Sequence, residues 1–255
     1  MTSYIEPPWW KTLYDQNLAD ILMENASTED AENTLLFLEN YAKMKAGDSV
    51  FDQCCGTGRL TALLAKKHNV IGVDLIPEYI VLAEKKLKKH EVKADLFCAD
   101  AMQFSTEIPV DIAINWWTSF GYAEDDATNS RMLQRAYTSL KPGGRFVIDF
   151  MNVPGLHRHF QPSMVNSIIK NGKTITLERI SSIDFKRDVL LKDWNYSIEG
   201  QAPITRQSEV KLYSPAQLIT LLSKVGFINI QLFGDLSGAP LNLDSPRCIV
   251  MGEKP

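Results

Sequence analysis

Three acidic residues follow three successive apolar runs of the sequence, and together they could bind a nucleoside. Asp52 lies in the first run, Asp74 ends the second and Asp100 follows the third. A carboxylate at the end of a strand can accept hydrogen bonds from both hydroxyls of a ribose, and we expect this of Asp74. Asp100 could accept a hydrogen bond from the amino group of an adenine while Met102 packs on the ring. The three acids therefore predict a nucleoside site.

A glycine-containing turn links Asp52 to the next helix and reads DQCCGTG over residues 52–58. Glycines allow a ligand to approach the backbone closely, where a Cβ would obstruct it. A dinucleotide-binding turn carries a third glycine or an alanine three residues after Gly58, but this chain has Thr61 there. A ligand without phosphates that carries an amino acid next to its ribose fits better, because Asp52 could support both the loop and the ligand's ammonium group. S-adenosylmethionine is such a ligand.

The elements that must position these residues alternate between strand and helix. Short apolar runs, separated by helical stretches, lie at 49–53, 69–73, 94–98, 110–115 and 144–150. This alternation predicts parallel strands with crossover helices. The Lys-Pro-Gly-Gly sequence at 141–144 predicts a stop and a turn before the fifth strand.

After residue 150 the alternation breaks, and β-rich runs at 173–185, 189–198 and 204–213 predict an antiparallel insertion. A length of 255 residues with 45% hydrophobic residues suits one domain with a small cap, so we expect no independent second domain. The single domain over 1–255 is expected to comprise an N-terminal lid and helix at 1–45, a cofactor-binding core at 46–150, a substrate-side insertion at 151–213 and closing helix and strands at 214–255.

In these features the chain resembles the class I S-adenosylmethionine-dependent methyltransferases over roughly residues 49–150 and the closing elements. The resemblance rests on the turn at 52–58, the acids Asp74 and Asp100 and the Leu-Lys-Pro-Gly-Gly sequence at 140–144. It implies an α/β, Rossmann-like fold, with a seven-stranded mostly parallel sheet, helices on both faces and an antiparallel β insertion after the fifth strand. It also implies S-adenosylmethionine as cofactor and S-adenosylhomocysteine as product.

The expected cofactor-binding residues are Asp52, Cys54, Gly56, Gly58, Asp74, Leu75, Asp100, Ala101, Met102 and Asn115. Cys54 is a departure from the family pattern, because many members carry glycine at its position.

The segment after the fourth run, NWWTSFGY at 115–122, lies where a crevice at a topological switch point would open. We place Trp117, Ser119 and Tyr122 in the substrate pocket. Trp116 and Phe120 are expected to pack in the core.

Near the N-terminus, residues 8–15 read PWWKTLYD, a candidate lid, packed strap or homodimer contact. The Tyr14-Asp15 pair resembles the start of small-molecule N-methyltransferases that act on sugar amines or glycine, in which the tyrosine approaches the transferring methyl. Trp10 is therefore expected in the substrate pocket. Sugar-amine members tend to carry a histidine where this chain has Tyr122, which weakens a sugar-amine assignment.

Methyl transfer from a sulfonium is an in-line displacement, so the protein mainly holds the acceptor in position and excludes water. Tyr14 and Tyr122 are the candidate catalytic residues, and no metal is required. His157 and His159 could bind a metal or act as a base, although a solvated pair in a loop is favoured. We expect a small-molecule acceptor, methylated at an amine nitrogen rather than at an oxygen.

Composition argues against other classes of partner. The net charge is −4 and no dense Lys/Arg block occurs, which disfavours a nucleic-acid substrate. The four cysteines show no C-x-x-C spacing, which favours reduced thiols in the cytoplasm, and no export or membrane segment is indicated. Two alternatives stay open: a cofactor-binding protein of the same fold that transfers no methyl, for example a regulatory or cyclising protein, and a nicotinamide dehydrogenase, which would lack the third acid.

Overall fold

A computed structural model describes residues 8–15, 18–19, 21, 28–170 and 172–255. The predicted N-terminal lid and helix at 1–45 therefore lies in part outside the described residues. The chain divides into two compact units. The insertion unit draws on Met1–Asn25 and Gln161–Lys211, and the core unit comprises Ala26–Phe160 and Leu212–Pro255.

Eighteen helices and strands are described. The strands are β1 Ser49–Gln53, β2 Asn69–Asp74, β3 Asp95–Cys98, β4 Val110–Asn115, β5 Leu140–Phe150, β6 Ser163–Lys170, β7 Lys173–Asp184, β8 Val189–Ile198, β9 Ile204–Lys211, β10 Ile228–Phe233 and β11 Cys248–Glu253. The helices are α1 Trp10–Leu13, α2 Thr28–Asn40, α3 Arg59–Leu64, α4 Pro77–Lys89, α5 Asp126–Ser139, α6 Val153–Arg158 and α7 Pro215–Val225. No helix among the described residues is long and apolar enough to cross a lipid bilayer.

The core unit contains a seven-stranded sheet in the order β10-β11-β5-β4-β1-β2-β3. Strands β1 to β5 pair in parallel, whereas β11 runs antiparallel to both β5 and β10. The central strands are almost continuously buried, as expected for parallel strands covered on both faces. This topology confirms the predicted Rossmann-like methyltransferase fold.

The Lys-Pro-Gly-Gly sequence differs from its predicted role as a turn that precedes the fifth strand. It lies inside β5, which begins at Leu140 directly after α5. The pairing register with β4 shifts there, and Gly143 has φ +77° while its N–H donates to the carbonyl of Lys254. A bulge that needs a left-handed residue explains the glycine at this position.

The insertion unit is a four-stranded antiparallel sheet in the order β6-β7-β8-β9. The sequence predicted β7, β8 and β9 but not β6, whose alternation of apolar and polar residues is weak at Ser163–Lys170. One face of this sheet packs against the N-terminal segment in a cluster that includes Leu13, Leu177 and Tyr196. Burying that face gives the insertion unit a hydrophobic core of its own.

Candidate active site

The candidate active site lies at the carboxyl ends of the parallel strands of the core unit. Strand β1 pairs with β2 on one side and with β4 on the other, so the chain reverses its direction of winding between β1 and β4. Loops that leave such neighbouring strands separate and open a crevice at a topological switch point. The loops after β1, β2, β3 and β4 all end at this crevice.

Asp52 is buried beneath the turn that follows β1. Its exposed fraction is 2%, and the Thr61 hydroxyl donates to its Oδ2 over 2.6 Å. Burial raises the pKa of Asp52 to about 6, although the Thr61 hydrogen bond opposes this, and the charge of Asp74 adds to the increase. Thr61, which excluded a dinucleotide motif, therefore anchors the acid at the start of the turn.

In the turn itself every second residue is left-handed. Cys54 has φ +65°, Gly56 has φ +56° and Gly58 has φ +75°. Cys54 thus adopts, at a cost in backbone strain, the conformation for which many family members use glycine. A Cβ at Gly58 would lie 2.7 Å from Cβ of Ala83 in α4, so close helix packing requires this glycine.

Asp74 at the end of β2 holds the turn from the opposite side. Its Oδ2 accepts a hydrogen bond from the N–H of Gly56 at 2.8 Å, and its Oδ1 accepts one from the N–H of Ile76 at 3.0 Å. Burial raises the pKa of Asp74 against the effect of these two bonds. Each carboxylate oxygen keeps acceptor capacity for a further hydrogen bond, so the residue can serve as a ribose acceptor. Leu75, which stands between Asp74 and Ile76 in the chain, is half-buried.

Asp100 and Met102 lie in the half-buried loop after β3. Oδ1 of Asp100 accepts a hydrogen bond from the N–H of Met102 at 2.8 Å, which fixes the carboxylate next to the methionine. The carbonyl of the buried Ala101 accepts a long hydrogen bond of 3.4 Å from the amide of Gln53. This arrangement ties the β3 loop to the end of β1.

Asn115 at the end of β4 carries an unpaired acceptor. The residue is fully buried, and its amide nitrogen donates to Oε1 of Gln53 at 3.2 Å and lies near the sulfur atoms of Met132 and Cys54. Its Oδ1 is buried and has no hydrogen-bond partner among the described residues. A buried acceptor without a donor is costly, and a bound ligand carrying an ammonium group would satisfy it.

In the loop after β4, Trp117 and Thr118 adopt a strained backbone conformation, and hydrogen bonds to Asp149 hold it in place. Trp117 has φ +62° and Thr118 has φ +57°, values that are unfavourable for an aromatic and a β-branched residue. The N–H of Trp117 donates to Oδ2 of Asp149, and the N–H of Thr118 donates to the backbone carbonyl of Asp149. Such strain is typical of binding and catalytic sites.

An ion-pair network supports this strained loop. Arg247 donates to Oδ2 of Asp149 at 2.8 Å and to Oδ1 of Asp30 at 2.5 Å. Burial raises the pKa of Asp149 to about 6, and the positive charge of Arg247 opposes the shift. Arg59, which follows the glycine turn, lies 3.6 Å from Asp30 and stacks 4.3 Å from the ring centroid of Trp117. The network thus joins the turn after β1 to the loop after β4.

The rest of the β4 loop divides into buried and half-buried side chains. Trp116 and Phe120 are buried, with exposed fractions of 6% and 1%, which agrees with the core role predicted for them. Trp117 is 36% exposed, while Ser119 and Tyr122 are half-buried. The Ser119 hydroxyl donates to the carbonyl of Trp116 over 3.2 Å.

Tyr122 is positioned by its neighbour in the chain. The side-chain amide of the buried Asn129 both accepts from the N–H of Ala123 and donates to its carbonyl, at 2.9 Å each. Asn129 also donates to the hydroxyl of the buried Tyr213. This network fixes the backbone of Ala123, the residue that follows Tyr122.

Trp10 and Tyr14 lie in the insertion unit, whereas the other predicted site residues lie in the core unit. Tyr14 is half-buried and packs against the hydrophobic cluster of that unit. It also acts electrostatically on the phenol of Tyr196. Trp10 contacts Trp9 edge to face, with ring centroids 5.7 Å apart.

Sequence reasoning missed the residues that support the site. Asp30, Asp149 and Arg247 are far apart in sequence and belong to no motif, so only the fold brings them together. His159 pairs with the exposed Asp244 at 2.9 Å. In the part of the chain that the structure describes, no group of three or more His, Cys, Asp or Glu side chains could hold a metal ion.

Comparison with known proteins agrees with this geometry. A family model described as "Methyltransferase domain" matches residues 50–144. The demethylmenaquinone methyltransferase of Lactobacillus johnsonii is 29% identical over 196 residues, which cover 74% of this chain and 71% of that protein.

Solved structures show the fold. An S-adenosylmethionine-dependent methyltransferase from Clostridium acetobutylicum superposes with a TM-score of 0.76 at 18% identity, and the alignment covers 93% of this chain and 96% of that protein. The sugar N-methyltransferase KedS8 from a Streptoalloteichus species superposes with a TM-score of 0.72 at 21% identity, and the alignment covers 90% of this chain and 88% of that protein. The chain therefore carries a methyltransferase domain over residues 50–144, and its fold is that of class I S-adenosylmethionine-dependent methyltransferases, with a sugar N-methyltransferase among the similar structures.

Proposed function

We propose that this enzyme transfers the methyl group of S-adenosylmethionine to an amine nitrogen of a small-molecule acceptor. The observation that carries the proposal is the arrangement at one end of the core sheet. Asp52 and Asp74 lie at the ends of β1 and β2, Asp100 lies in the loop after β3, and a strained aromatic loop follows β4, which pairs with β1. The first three loops suit a nucleoside with an amino-acid tail, and the fourth suits an acceptor beside it.

In this proposal the cofactor is held by the loops of the core unit. Asp74 accepts from the ribose hydroxyls, because both its oxygens retain lone pairs. Asp100 accepts from the adenine amino group, and Met102 packs on the ring. Asn115 Oδ1 and Asp52 face the amino-acid end, where the buried, unpaired amide oxygen and the raised pKa of the acid both favour a bound ammonium group. The remaining cofactor residues, by this proposal, are Cys54, Gly56, Gly58, Leu75 and Ala101.

S-adenosylmethionine, when bound, supplies an electrophilic methyl group on a sulfonium. The protein's part is to hold the acceptor nitrogen in line with that methyl and to keep water out. One wall for the acceptor is formed by Trp117 and Ser119. Asp149 and Arg59 hold Trp117 in place. Tyr122 accepts a hydrogen bond from the acceptor amine and orients its lone pair. The catalytic role of Tyr14 and the substrate-pocket role of Trp10 stay predictions from the sequence.

A nitrogen acceptor is favoured over oxygen because the site provides acceptors rather than a strong base. An amine needs only to be neutral to react. The similarity to KedS8, whose name specifies a sugar N-methyltransferase, points in the same direction.

We further propose that the enzyme works in a reducing compartment such as the cytoplasm. Cys54 and Cys55 are adjacent free thiols in the cofactor turn, and Cys98 and Cys248 are also free. Burial raises the pKa of Cys54 and of Cys55, and a protonated thiol in a packed turn suits a compartment that keeps thiols reduced. The acidic net charge supports a small-molecule acceptor rather than a nucleic acid. A homodimer remains a prediction.

The proposal is tested by measuring S-adenosylhomocysteine formation with matched acceptors. Each pair consists of an amine and the alcohol of the same skeleton, drawn from amino sugars, amino acids and aromatic amines. We expect turnover with at least one amine and little with its alcohol. Turnover only with alcohols would overturn the nitrogen assignment, and binding of the cofactor without turnover across the panel would favour the protein of the same fold that transfers no methyl.

A further inference from the structure

Trp117 is held at its backbone and at its side chain by the two ends of one chain of charged residues. Its N–H donates to Oδ2 of Asp149 at 3.2 Å, and its indole lies under the guanidinium of Arg59, 4.3 Å from the ring centroid. Arg247 donates to Asp149 at 2.8 Å and to Oδ1 of Asp30 at 2.5 Å. Arg59 lies 3.6 Å from Oδ2 of Asp30, which closes the circuit. We call these four charged residues the charge ring.

The charge ring brings together parts of the core unit that are far apart in sequence. Asp30 lies in the first turn of α2, Arg59 begins α3, Asp149 lies near the end of β5 and Arg247 directly precedes β11. Asp149 is 5% exposed, and the other three side chains are 20–25% exposed. Two arginines and two aspartates balance in charge, and partial exclusion of water strengthens the attraction between them. The ring therefore holds its members more firmly than solvated surface pairs would.

The backbone that the charge ring holds is strained. Trp117 has φ +62° and Thr118 has φ +57°, and the N–H groups of both donate to Asp149. Such a conformation persists only where its surroundings determine it fully. If the ring opens, the two residues can relax to negative φ, and the indole then moves with its backbone. The ring therefore selects the strained conformation over a relaxed one.

Arg59 connects the charge ring to the cofactor turn. It directly follows Gly58, the last residue of that turn, and its charge and the charge of the buried Asp52 act on each other. Burial lowers the pKa of the Arg59 guanidinium, and the attraction of Asp30 and of Asp52 opposes the shift. Arg59 is therefore drawn towards two acids, one in the ring and one in the turn. An ammonium group bound at Asp52 would compensate the charge in the turn and leave Arg59 to Asp30.

We propose that Asp30, Arg59, Arg247 and Asp149 are positioning residues that couple the conformation of Trp117 to the occupancy of the cofactor turn. A ligand that brings an ammonium group to the turn strengthens the charge ring and so fixes the indole for the acceptor. Because coupling is reciprocal, an acceptor that packs on this indole raises the affinity for the cofactor by the same factor. The inference rests on the proposed function, which places the ammonium group at the turn and the acceptor beside Trp117.

The test is acrylamide quenching of Trp117 fluorescence in the full chain, with and without S-adenosylhomocysteine. This probe carries the amino-acid tail of the cofactor and transfers no methyl. The signal of Trp117, which is 36% exposed, is the difference between each protein and the same protein with Trp117→Phe. We expect the probe to protect Trp117 from quenching in the native chain. Asp30→Asn should still bind the probe in calorimetry but lose this protection, because Asp30 belongs to the charge ring and lies outside the turn.

Glu253→Gln is the matched control. Glu253 forms a half-buried ion pair of 3.4 Å with Arg145, is 27% exposed against 25% for Asp30, and lies at the end of β11 away from the crevice. This control should keep full protection, and Asp30→Glu, which restores the carboxylate, should recover part of it. Equal protection in the native chain and in Asp30→Asn would show that the ligand shields the indole directly and would overturn the inference. Absence of protection in the native chain would overturn it as well.

Arg59→Lys keeps the test decisive if Asp30→Asn folds poorly, because lysine retains the charge but not the planar group that stacks on the indole. It too should lose protection. With an amine that turns over, Asp30→Asn should raise the KM for that amine at least about fivefold and change KM more than kcat. Protection that depends on Asp30, without turnover of any amine, defeats only the proposed function. Turnover of an amine, with protection and KM unaffected in Asp30→Asn, defeats only this inference.

Discussion

Alanine at Gly58 should destabilise the enzyme through a steric contact that a matched glycine elsewhere lacks. Gly58 and Gly143 have nearly equal φ angles, +75° and +77°. A Cβ on Gly58 would lie 2.7 Å from Cβ and 3.0 Å from Cα of Ala83, whereas a Cβ on Gly143 meets nothing within 4 Å. The two substitutions therefore share the cost of the left-handed conformation and differ only in packing.

The magnitudes follow from these two terms. The left-handed conformation costs an alanine about 1–2 kcal/mol at either position. Overpacking against α4 adds about 1–3 kcal/mol for Gly58→Ala alone. Since about 1 kcal/mol shifts the melting temperature of a chain of this size by roughly 2–4 °C, Gly58→Ala should melt about 2–12 °C below Gly143→Ala.

Thermal and urea unfolding of both variants measure this difference. Replacing Ala83 by glycine in the Gly58→Ala background removes the contacting Cβ and should recover part of the loss, although Ala83→Gly alone costs about 1 kcal/mol in a helix. Equal destabilisation of the two glycine variants, with cofactor affinity lost only in Gly58→Ala, would refute the packing argument. It would show instead that the ligand itself requires this glycine.

Three further perturbations test the buried charges and the strained loop. Burial raises the pKa of Asp52 from 3.8 to about 6, so the contribution of Asp52 to the free energy of unfolding is greatest below about pH 4 and is lost as pH rises through 6. In urea unfolding, Asp52→Asn should therefore stabilise the apoenzyme by up to about 3 kcal/mol at pH 7 and should give no gain at pH 4. The same variant should bind the cofactor more weakly. Arg247→Met leaves Asp149 without its ion pair and should lower the free energy of unfolding by about 3–5 kcal/mol at pH 7, but by less at pH 5, where Asp149 binds a proton. Arg158→Met is the control at an exposed ion pair and should lower the free energy of unfolding by under about 1 kcal/mol. Thr118→Gly should raise the melting temperature by relieving φ +57°, and a fall would contradict the strain we assign there.

The sequence predicted the core sheet well because each element carried its own local signal. Buried apolar runs, separated by helical stretches, specified five parallel strands, and the structure confirms a closing helix that begins at a capping box at Ser214 and ends at Gly226. Strand β6 gave no such signal, since its residues lack a clear alternation. The Lys-Pro-Gly-Gly sequence was misread as a turn because a β-bulge uses the same left-handed glycine as a turn does.

The acids of the site could be predicted because each lies at the end of a strand or within two residues of it. Their supporting residues could not, since Asp149 and Arg247 meet only after β5 and β11 have paired. Arg179, Lys192 and Arg206, which lie on three neighbouring strands of the insertion sheet, are a third case. Their common face follows from strand register, which a sequence pattern does not reveal until the pairing of β7, β8 and β9 is known.

The central claim is that S-adenosylmethionine binds at the loops after β1, β2 and β3, with Asp74 as the ribose acceptor. Calorimetric titration of the cofactor into the native enzyme and into Asp74→Ala tests it most directly. Asp111→Ala is the matched control, because Asp111 lies at the opposite end of β4 and pairs with Lys141 at 2.8 Å. We predict that the native enzyme and Asp111→Ala bind the cofactor equally and that Asp74→Ala binds it at least about tenfold more weakly. Equal affinity in all three proteins would contradict the assigned site.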